Sequence, residues 1–370
     1  MSMKKKISFA GPWITQQEVD AVIDAVKNGW YETYTKDTEA LVKTVQTYLG
    51  VPYVLPTHCC TLALHLAAVA LDLKTGDEVI VTDHSWVATA YSITYTGAQC
   101  VFVDIDPRTL CIDPIAIEKA VTSKTKAIML VHNFGIPADM DAILDIARYH
   151  NLKVIEDAAP AMGSLYKGNK VGTFGDIACF SFQGAKIAVT GEGGILVTNN
   201  KKIYEKAILL ANMGRTDRIA PFWSDEVGYQ YTISNLSAAL ANIQMKRIDE
   251  LVSRKRAIFD HYYLRLSDHK KIQMVQARED SFANYCYPSA FLAEDIKTPR
   301  DEILRIFREK NIHCRPGFPR MSCFPVYDKE KRYENPVAKR FEKQGIVFAS
   351  AANIEEEDIN FVCDTLISLL

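Results

Sequence analysis

No stretch of the 370-residue sequence approaches the roughly 18 consecutive apolar residues that a membrane-spanning helix needs. An excess of charge of one sign is also missing. The net charge is −2, which excludes the broad basic surface typical of nucleic-acid-binding proteins. Hydrophobic residues (48%) and charged residues (24%) are as frequent as in ordinary globular proteins. We therefore expect no membrane and no nucleic-acid partner, and the length allows two domains.

The sequence also lacks the cysteine and histidine spacings of metal sites and disulfide frameworks. Its nine cysteines form no Cys-x-x-Cys pair, and the adjacent Cys59 and Cys60 are too close for an ordinary disulfide or a zinc pair. Its eight histidines include no His-Glu-x-x-His arrangement. These absences predict a reduced, cytoplasmic protein without a metal site.

From residue 50 onward, short apolar runs alternate regularly with helical segments. Nearly continuous apolar strands separated by helices are typical of a mostly parallel sheet that is covered on both faces. The pattern therefore predicts an α/β fold. The predicted strands cover residues 51–55, 78–82, 100–104, 126–131 and 152–157, and two more, 177–182 and 191–198, flank Lys186.

Helical segments before and after this region divide the chain. The first covers residues 15–28 and begins with a capping box, Thr15 and Glu18. Its apolar stripe consists of Val19, Val22, Ile23 and Val26. A long helical stretch, 234–264, marks the second boundary. The predicted parts are an N-terminal helix and aromatic loop (1–34), a large domain (35–246) and a smaller C-terminal α/β domain (247–370) with strands at 285–291 and 312–315.

Lys186 lies between two apolar strands, a poor position for a solvated surface charge. A lysine shielded from water has a lowered pKa and becomes a nucleophilic amine. The position therefore indicates a lysine that bonds covalently to a carbonyl carbon. A lysine on a connecting loop that simply reaches solvent explains the same stretch, and the residues alone leave both interpretations open.

Three other features precede Lys186 along the chain. Asp157 ends a buried strand, at the edge where open α/β sheets bind ligands, and either holds a ring nitrogen protonated or caps a turn. Trp86 follows a strand and either stacks on a planar cofactor or packs in the core. Residues 57–61 lead into a helix whose first N–H groups, with the Thr61 hydroxyl, suit a phosphate.

Together these features match what pyridoxal 5'-phosphate (PLP) requires: an anion site, a stacking face, an acid for the ring nitrogen and an amine for the aldehyde. A nicotinamide dehydrogenase is the less favoured alternative, because no Gly-x-Gly-x-x-Gly motif follows the first strand. A PLP-binding regulator without turnover is disfavoured because the chain has no separate DNA-binding segment or basic patch.

With these residues the chain resembles the DegT/StrS-type sugar aminotransferases, a branch of the fold-type I PLP enzymes. The resemblance implies a large domain with a mostly parallel, seven-stranded type of sheet, and a small C-terminal domain. It also implies homodimers that share their active sites. The stretches that carry the resemblance are 29–31, 59–67, 76–80, 85–89, 156–159, 180–186, 190–194, 228–235 and 315–316.

The resemblance assigns roles to individual residues. Lys186 is implied to bond to the cofactor and to move the proton, Asp157 to pair with the pyridine nitrogen, and Trp86 to stack on the ring. Gln230 of the partner subunit is implied to join the phosphate. The other cofactor-binding residues implied are Cys60, Thr61, Ser181 and Gln183.

Four positions depart from the pattern of the family. Position 230 is commonly Asn but here is Gln230, and position 232 is commonly basic but here is Thr232. Pro160 replaces the Gln or His that often bonds the cofactor's ring hydroxyl, so that hydrogen bond comes from elsewhere or is absent. Ser322 lies near where many members have His.

The implied reaction moves an amino group from L-glutamate to a nucleotide-linked keto sugar, to make a deoxyamino sugar for surface polysaccharide such as O-antigen. A loop over 212–218 and 221–223 resembles that of members acting on 4-keto-6-deoxy sugars, which favours amination at C4 over the alternative at C3. The dehydratase relatives have His where this chain has Lys186. The implied substrate-binding residues are Trp30, Tyr31, Arg215, Arg218 and Arg315. Arg215 and Arg218 either meet the diphosphate or are ordinary surface arginines.

Overall fold

A computed structural model describes residues 6–216, 218–327 and 334–370. Nine strands belong to the first part of the chain, and seven of them form one sheet. The strands are β1 (Tyr53–Thr57), β2 (Glu78–Thr82), β3 (Gln99–Val103), β4 (Thr125–Val131), β5 (Lys153–Asp157), β6 (Leu165–Tyr166), β7 (Asn169–Lys170), β8 (Ile177–Ser181) and β9 (Gly194–Thr198). The order of strands in the large sheet is β1-β9-β8-β5-β4-β2-β3.

The predicted parallel sheet is confirmed. β9 pairs antiparallel with both of its neighbours, β1 and β8, and the other pairs are parallel. Because successive side chains of a strand point to opposite faces, Val79 and Val81 pack in one apolar cluster and Ile80 in another on the opposite face. The sheet is therefore covered on both sides.

Helices supply that cover. α3 packs against β8 and β9 on one face, and α8 packs against α1 and α2. Among the helices, α2, α7 and α11 were not predicted from the sequence. The helices are α1 (Gln16–Asn28), α2 (Lys36–Leu49), α3 (Cys60–Ala70), α4 (Ala88–Thr94), α5 (Pro114–Ala120), α6 (Met140–His150), α7 (Lys201–Ala211), α8 (Asn235–Lys246), α9 (Ile248–Leu266), α10 (Arg300–Glu309), α11 (Pro336–Gln344) and α12 (Glu356–Ile367).

The C-terminal part contains a four-stranded antiparallel sheet in the order β10-β12-β14-β13. Its strands, with β11, are β10 (Ile272–Met274), β11 (Ser281–Phe282), β12 (Ser289–Leu292), β13 (Arg315–Pro316) and β14 (Gly345–Val347). β11 joins β6 and β7 in a separate small sheet.

For two C-terminal strands, the predicted first residue lies too far toward the N-terminus. Strand 285–291 begins only at Ser289, because Tyr285 has a φ of 49°, in the left-handed region. Strand 312–315 reduces to β13, and Ile312 pairs instead with Ile7 in an isolated bridge. The division into residues 1–34, 35–246 and 247–370 stays a prediction.

Helix α1 has its predicted capping box, but most of its predicted apolar stripe faces outward, and only Val22 is partly buried. Val19, Ile23 and Val26 are 41 to 51% exposed, whereas Glu18 is buried. Burial alone would raise the pKa of Glu18, but hydrogen bonds from Thr15, Arg247 and Gln244 outweigh burial and lower this pKa to about 2. The helix thus docks onto α8 through polar contacts. Within the described ranges, no helix combines the length and hydrophobicity that a membrane span requires.

Candidate active site

A cavity of about 410 Å³ opens at the edge of the large sheet where β4, β5 and β8 end. Its volume lies in the range of small-molecule binding sites. Residues from the C-terminal part, including Tyr287 and Phe318, close one side. Eight of the residues predicted from the sequence line this cavity: Cys60, Thr61, Trp86, Asp157, Ser181, Gln183, Lys186 and Arg315.

Lys186 is carried by the tight connection between β8 and β9. Phe182 N donates to Gly193 O (2.9 Å) and Gly184 N to Gly191 O (3.0 Å), so the connection folds back on itself. Gly191 has a φ of +83°, a conformation that a glycine adopts without strain. The connection thereby holds the half-buried Lys186 at the cavity wall, with Nζ 5.6 Å from the centre of the Tyr287 ring.

Asp157 ends β5 and is 4% exposed. Its Oδ2 accepts a hydrogen bond from Thr89 Oγ1 (2.7 Å), and its Oδ1 accepts one from Ala159 N (3.1 Å). Burial raises the pKa of Asp157, and these hydrogen bonds and the charge of Lys186 oppose the increase. Each oxygen keeps a free lone pair, so the carboxylate can accept a further bond from a ring N–H in the cavity.

A fully buried pair, His132 and Glu156, lies directly behind Asp157. His132 Nδ1 accepts from Ala138 N (3.1 Å), so Nε2 carries the hydrogen that is donated to Glu156 Oε2 (2.9 Å). His132 N donates to Asp157 O (3.1 Å). Glu156 also accepts bonds of 2.6–2.8 Å from three backbone N–H groups, of Gly172, Phe174 and Gly175. The end of β5 is therefore held rigidly.

The N-terminus of α3 faces the cavity, where its first N–H groups can bind an anion. The first N–H groups of a helix have no partner inside the helix, and Cys60 and Thr61 occupy this first turn. A Cβ on Gly194 would lie 2.5 Å from Cys60 N, so the start of β9 approaches this turn only because the residue is glycine. Burial raises the pKa of the Cys60 thiol well above its ordinary value, which keeps it neutral next to an anion.

Ser181 and Trp86 complete the arrangement. Ser181 ends β8, pairs with Gly194 in the sheet and lies at the cavity. Trp86 is 63% exposed and lines the cavity 6.2 Å from Phe318, measured between ring centroids, which excludes the alternative that it packs in the core. The cavity thus brings together an anion site, an aromatic face, a buried carboxylate and an amine, and these residues fit PLP.

Five predicted residues do not line the cavity of their own chain: Trp30, Tyr31, Arg215, Arg218 and Gln230. Tyr31 is 87% exposed, and Gln230 Nε2 donates to Thr232 Oγ1 (3.0 Å). The guanidinium of Arg215 lies 5.1 Å from the ring centre of Phe222, and Arg218 forms an ion pair with Asp225. The roles of all five stay predictions. Asp217, in the same loop, lies outside the described residues.

Sequence reasoning gave no role to Thr89, Tyr287 or Asn133, which also line the cavity. Thr89 lies one helical turn after Trp86, a spacing that places both on one face. Asn133 follows the end of a buried strand, the same signal that singled out Asp157. Ser322, which lies near where many family members have His, donates to Asp83 Oδ2 (2.8 Å), away from the cavity.

Comparison with known proteins agrees with this geometry. Residues 12–367 match the DegT/DnrJ/EryC1/StrS aminotransferase family. The chain belongs to this family. The family assignment confirms the resemblance carried by the sequence and identifies the protein as a PLP-dependent aminotransferase. Sequence relatives include a GDP-perosamine synthase of Escherichia coli O157:H7, 35% identical over 98% of both chains, and one of Caulobacter vibrioides, 36% identical over 100% of both.

Solved structures support the fold. An aminotransferase from Psychrobacter cryohalolentis superimposes with a TM-score of 0.90 over 98% of both chains, at 28% identity. A putative sugar aminotransferase from Streptococcus pneumoniae gives a TM-score of 0.91 over 99% of this chain and 98% of that one, at 24% identity. The predicted fold class is therefore confirmed.

Proposed function

We propose that this aminotransferase moves the amino group of L-glutamate to C4 of a GDP-linked 4-keto-6-deoxyhexose. Three relatives that match 93% or more of this chain bear the name GDP-perosamine synthase, which is a C4 aminotransferase. Their agreement supports C4 over the alternative, amination of a 3-keto sugar at C3. A relative of Bacillus subtilis, 31% identical, is named a spore coat polysaccharide biosynthesis protein, which supports a surface-polysaccharide product.

The observation that carries the proposal is that Lys186 and Asp157 share one cavity with the N-terminus of α3. In our proposal the Asp157 carboxylate keeps a proton on the ring nitrogen. The first N–H groups of α3 and the Ser181 hydroxyl bind the phosphate, and Trp86 covers one face of the ring. PLP, when bound, draws the electron pair of the broken Cα–H bond into its ring.

Lys186 moves the proton in both halves of the reaction. Its Nζ takes the proton from Cα of glutamate and delivers it to the cofactor carbon next to the ring. In the second half Nζ carries a proton in the opposite direction, to C4 of the sugar. Arg315, which lines the cavity 4.1 Å from the Phe9 ring centre, is our candidate for the donor carboxylate.

We also propose a homodimer with shared sites. The outward apolar stripe of α1 and the exposed Trp30 and Tyr31 support a subunit interface, and Gln230 lies outside the cavity of its own chain, as a contribution to the other subunit requires. A cytoplasmic location fits the cysteines, since all nine lie in the described ranges and none forms a disulfide.

Two measurements test the reaction. Borohydride should fix PLP to Lys186 in wild type, as read by peptide mass mapping, and a label on another lysine would overturn the site. Glutamate should bleach the visible band of lysine-bound PLP, and a GDP-linked 4-keto-6-deoxyhexose should restore it. Restoration by the 3-keto isomer alone would favour C3 amination, and restoration by no keto sugar would overturn the substrate class.

A mixed dimer tests the shared site. Lys186→Ala and Gln230→Ala subunits should each be impaired as pure dimers. When co-expressed with different tags and purified as heterodimers, one site contains both substitutions and the other contains neither, so activity should return. Heterodimers no more active than the pure variants would show that Gln230 acts within its own chain or not at all.

A further inference from the structure

Asn133 is a buried amide that lines the cavity yet has no part in the scheme above. It follows β4 and is 2% exposed. β4 and β5 are neighbours, with Val131 opposite Asp157 in the register. Asn133 therefore lies at the same edge as Asp157, two residues further along the adjoining strand.

The amide of Asn133 has one fixed orientation. Its Nδ2 donates to His84 O and to Leu110 O, both at 2.7 Å, which uses both of its hydrogens. Two carbonyl oxygens on one side of the amide exclude the flipped orientation, in which oxygen would face oxygen. Oδ1 therefore points away from these carbonyls. Among the described residues, none donates a hydrogen bond to it.

Asn284 is the matched case that shows what a purely structural asparagine does here. It is buried too, and its Nδ2 likewise donates to two carbonyls, Pro160 O (3.0 Å) and Met162 O (2.9 Å). Its Oδ1, however, accepts from Cys286 N (2.9 Å), and Asn284 does not line the cavity. The two amides differ in the acceptor that Asn133 leaves open toward the cavity.

The backbone around Asn133 is strained. Phe134, the next residue, has a φ of 53°, and Leu110, which accepts from the amide, has a φ of 59°. Bulky residues adopt this left-handed region at a cost, and such residues cluster at functional sites. Strained backbone therefore lies next to an amide whose oxygen accepts no hydrogen bond from the described residues.

We propose that Asn133 Oδ1 positions the bound ligand by accepting a hydrogen bond from one of its hydroxyl groups. This donor is a hydroxyl of the keto sugar, so the inference rests on the proposed function. Pro160, three residues after Asp157, also lines the cavity and offers the ligand no polar side-chain atom.

The test compares Asn133→Leu with wild type, and with Asn284→Leu as a control for the loss of two buried N–H···O bonds. Apo protein is titrated with PLP, whose binding is the control for an intact cavity. KM is measured for the GDP-linked 4-keto-6-deoxyhexose and for its 3-deoxy and 2-deoxy analogues. Thermal unfolding of each protein is recorded in parallel.

Asn133→Leu should leave the binding of PLP unchanged. The KM for the full sugar should rise about fivefold, the KM for one deoxy analogue should not, and the rate of the glutamate half-reaction should stay at the wild-type value.

A folded Asn133→Leu protein with the wild-type KM for the full sugar overturns the proposal. Should this variant not fold, wild type alone decides, because equal KM for all sugars also overturns it. Failure of wild type to aminate any keto sugar would count against the proposed function, whereas an active wild type with an unchanged KM in Asn133→Leu counts against the role of Asn133 alone.

Discussion

Replacing Thr89 with Val removes one hydroxyl next to Asp157 and nearly preserves side-chain shape. That hydroxyl donates the 2.7 Å bond to Oδ2, while Oδ1 keeps its bond from Ala159 N. Hydrogen bonds to charged groups contribute about 1.5–3 kcal/mol. Since 1.4 kcal/mol is a factor of ten, the variant should hold the ionised form of Asp157 about 10- to 150-fold less well.

The consequence for pH follows from the direction of the pKa shift. Burial raises the pKa of Asp157, and the Thr89 bond opposes this, so Thr89→Val raises the pKa further. The ionised carboxylate is needed to keep the ring nitrogen protonated, so the loss of activity on the acid side should move to higher pH. A carboxyl group whose pKa is raised in the folded state lowers the stability of the protein as pH rises. The apo variant should therefore be less stable than wild type at pH values where Asp157 is ionised, and equally stable with respect to this group at strongly acid pH.

The assay is single-turnover absorbance of PLP-loaded enzyme mixed with glutamate, repeated across pH. Thr94→Val is the matched control, because Thr94 lies on the same helix and its hydroxyl contacts Ala90 O and Tyr327 Oη, both at 3.1 Å, rather than Asp157. The Thr94→Val enzyme should lose activity at low pH over the same pH range as wild type. A folded Thr89→Val enzyme with the wild-type rate, and with activity lost over the same low-pH range as wild type, would refute the claim that Thr89 stabilises the ionised form of Asp157.

Three other outcomes are expected. Gly194→Ala should weaken PLP binding at least about tenfold in an absorbance titration, because a Cβ would lie 2.5 Å from Cys60 N, and an unchanged affinity would contradict the proposed phosphate site. Glu156→Gln should lower the free energy of unfolding in urea by about 3 kcal/mol, since the buried carboxylate accepts four hydrogen bonds and an amide NH2 cannot accept, whereas Glu205→Gln on the exposed face of α7 should change little. Iodoacetamide should label the exposed Cys323 but not Cys60, because the Cys60 thiol is buried with a raised pKa, and prompt labelling of Cys60 would show that the cavity is more open than described.

Much of the fold was predictable because apolar runs encode buried strands directly. The predicted strand 78–82 coincides with β2, and the predicted end at Asp157 is the end of β5. Backbone conformation was less predictable. The left-handed φ of Tyr285 depends on tertiary contacts, such as the stacked ring of Phe259, whose centroid lies 3.4 Å from that of Tyr285. The strand propensity of the residues does not predict this conformation.

The parts of the candidate site that sequence reasoning found are those at strand ends and helix starts, where position alone indicates exposure to a ligand. It missed the groups that act through a distant partner. Thr89 and Asp157 are 68 positions apart, and the pairing of His132 with Glu156 spans 24. Neither separation leaves a local pattern, because each pairing exists only after β4 and β5 lie side by side and α4 packs at their ends.

Helix α1 shows that a correctly predicted apolar periodicity does not determine which face of a helix is buried. The stripe of Val19, Val22, Ile23 and Val26 is real, yet the helix docks onto α8 through Glu18, which pairs with Arg247 and accepts from Gln244. A buried ion pair fixes geometry more than it adds stability. It therefore orients the helix so that a hydrophobic face remains that this chain does not cover, and water contact with that face is unfavourable. The proposed dimer would cover this face together with Trp30 and Tyr31, which line neither of the two described cavities of a single chain.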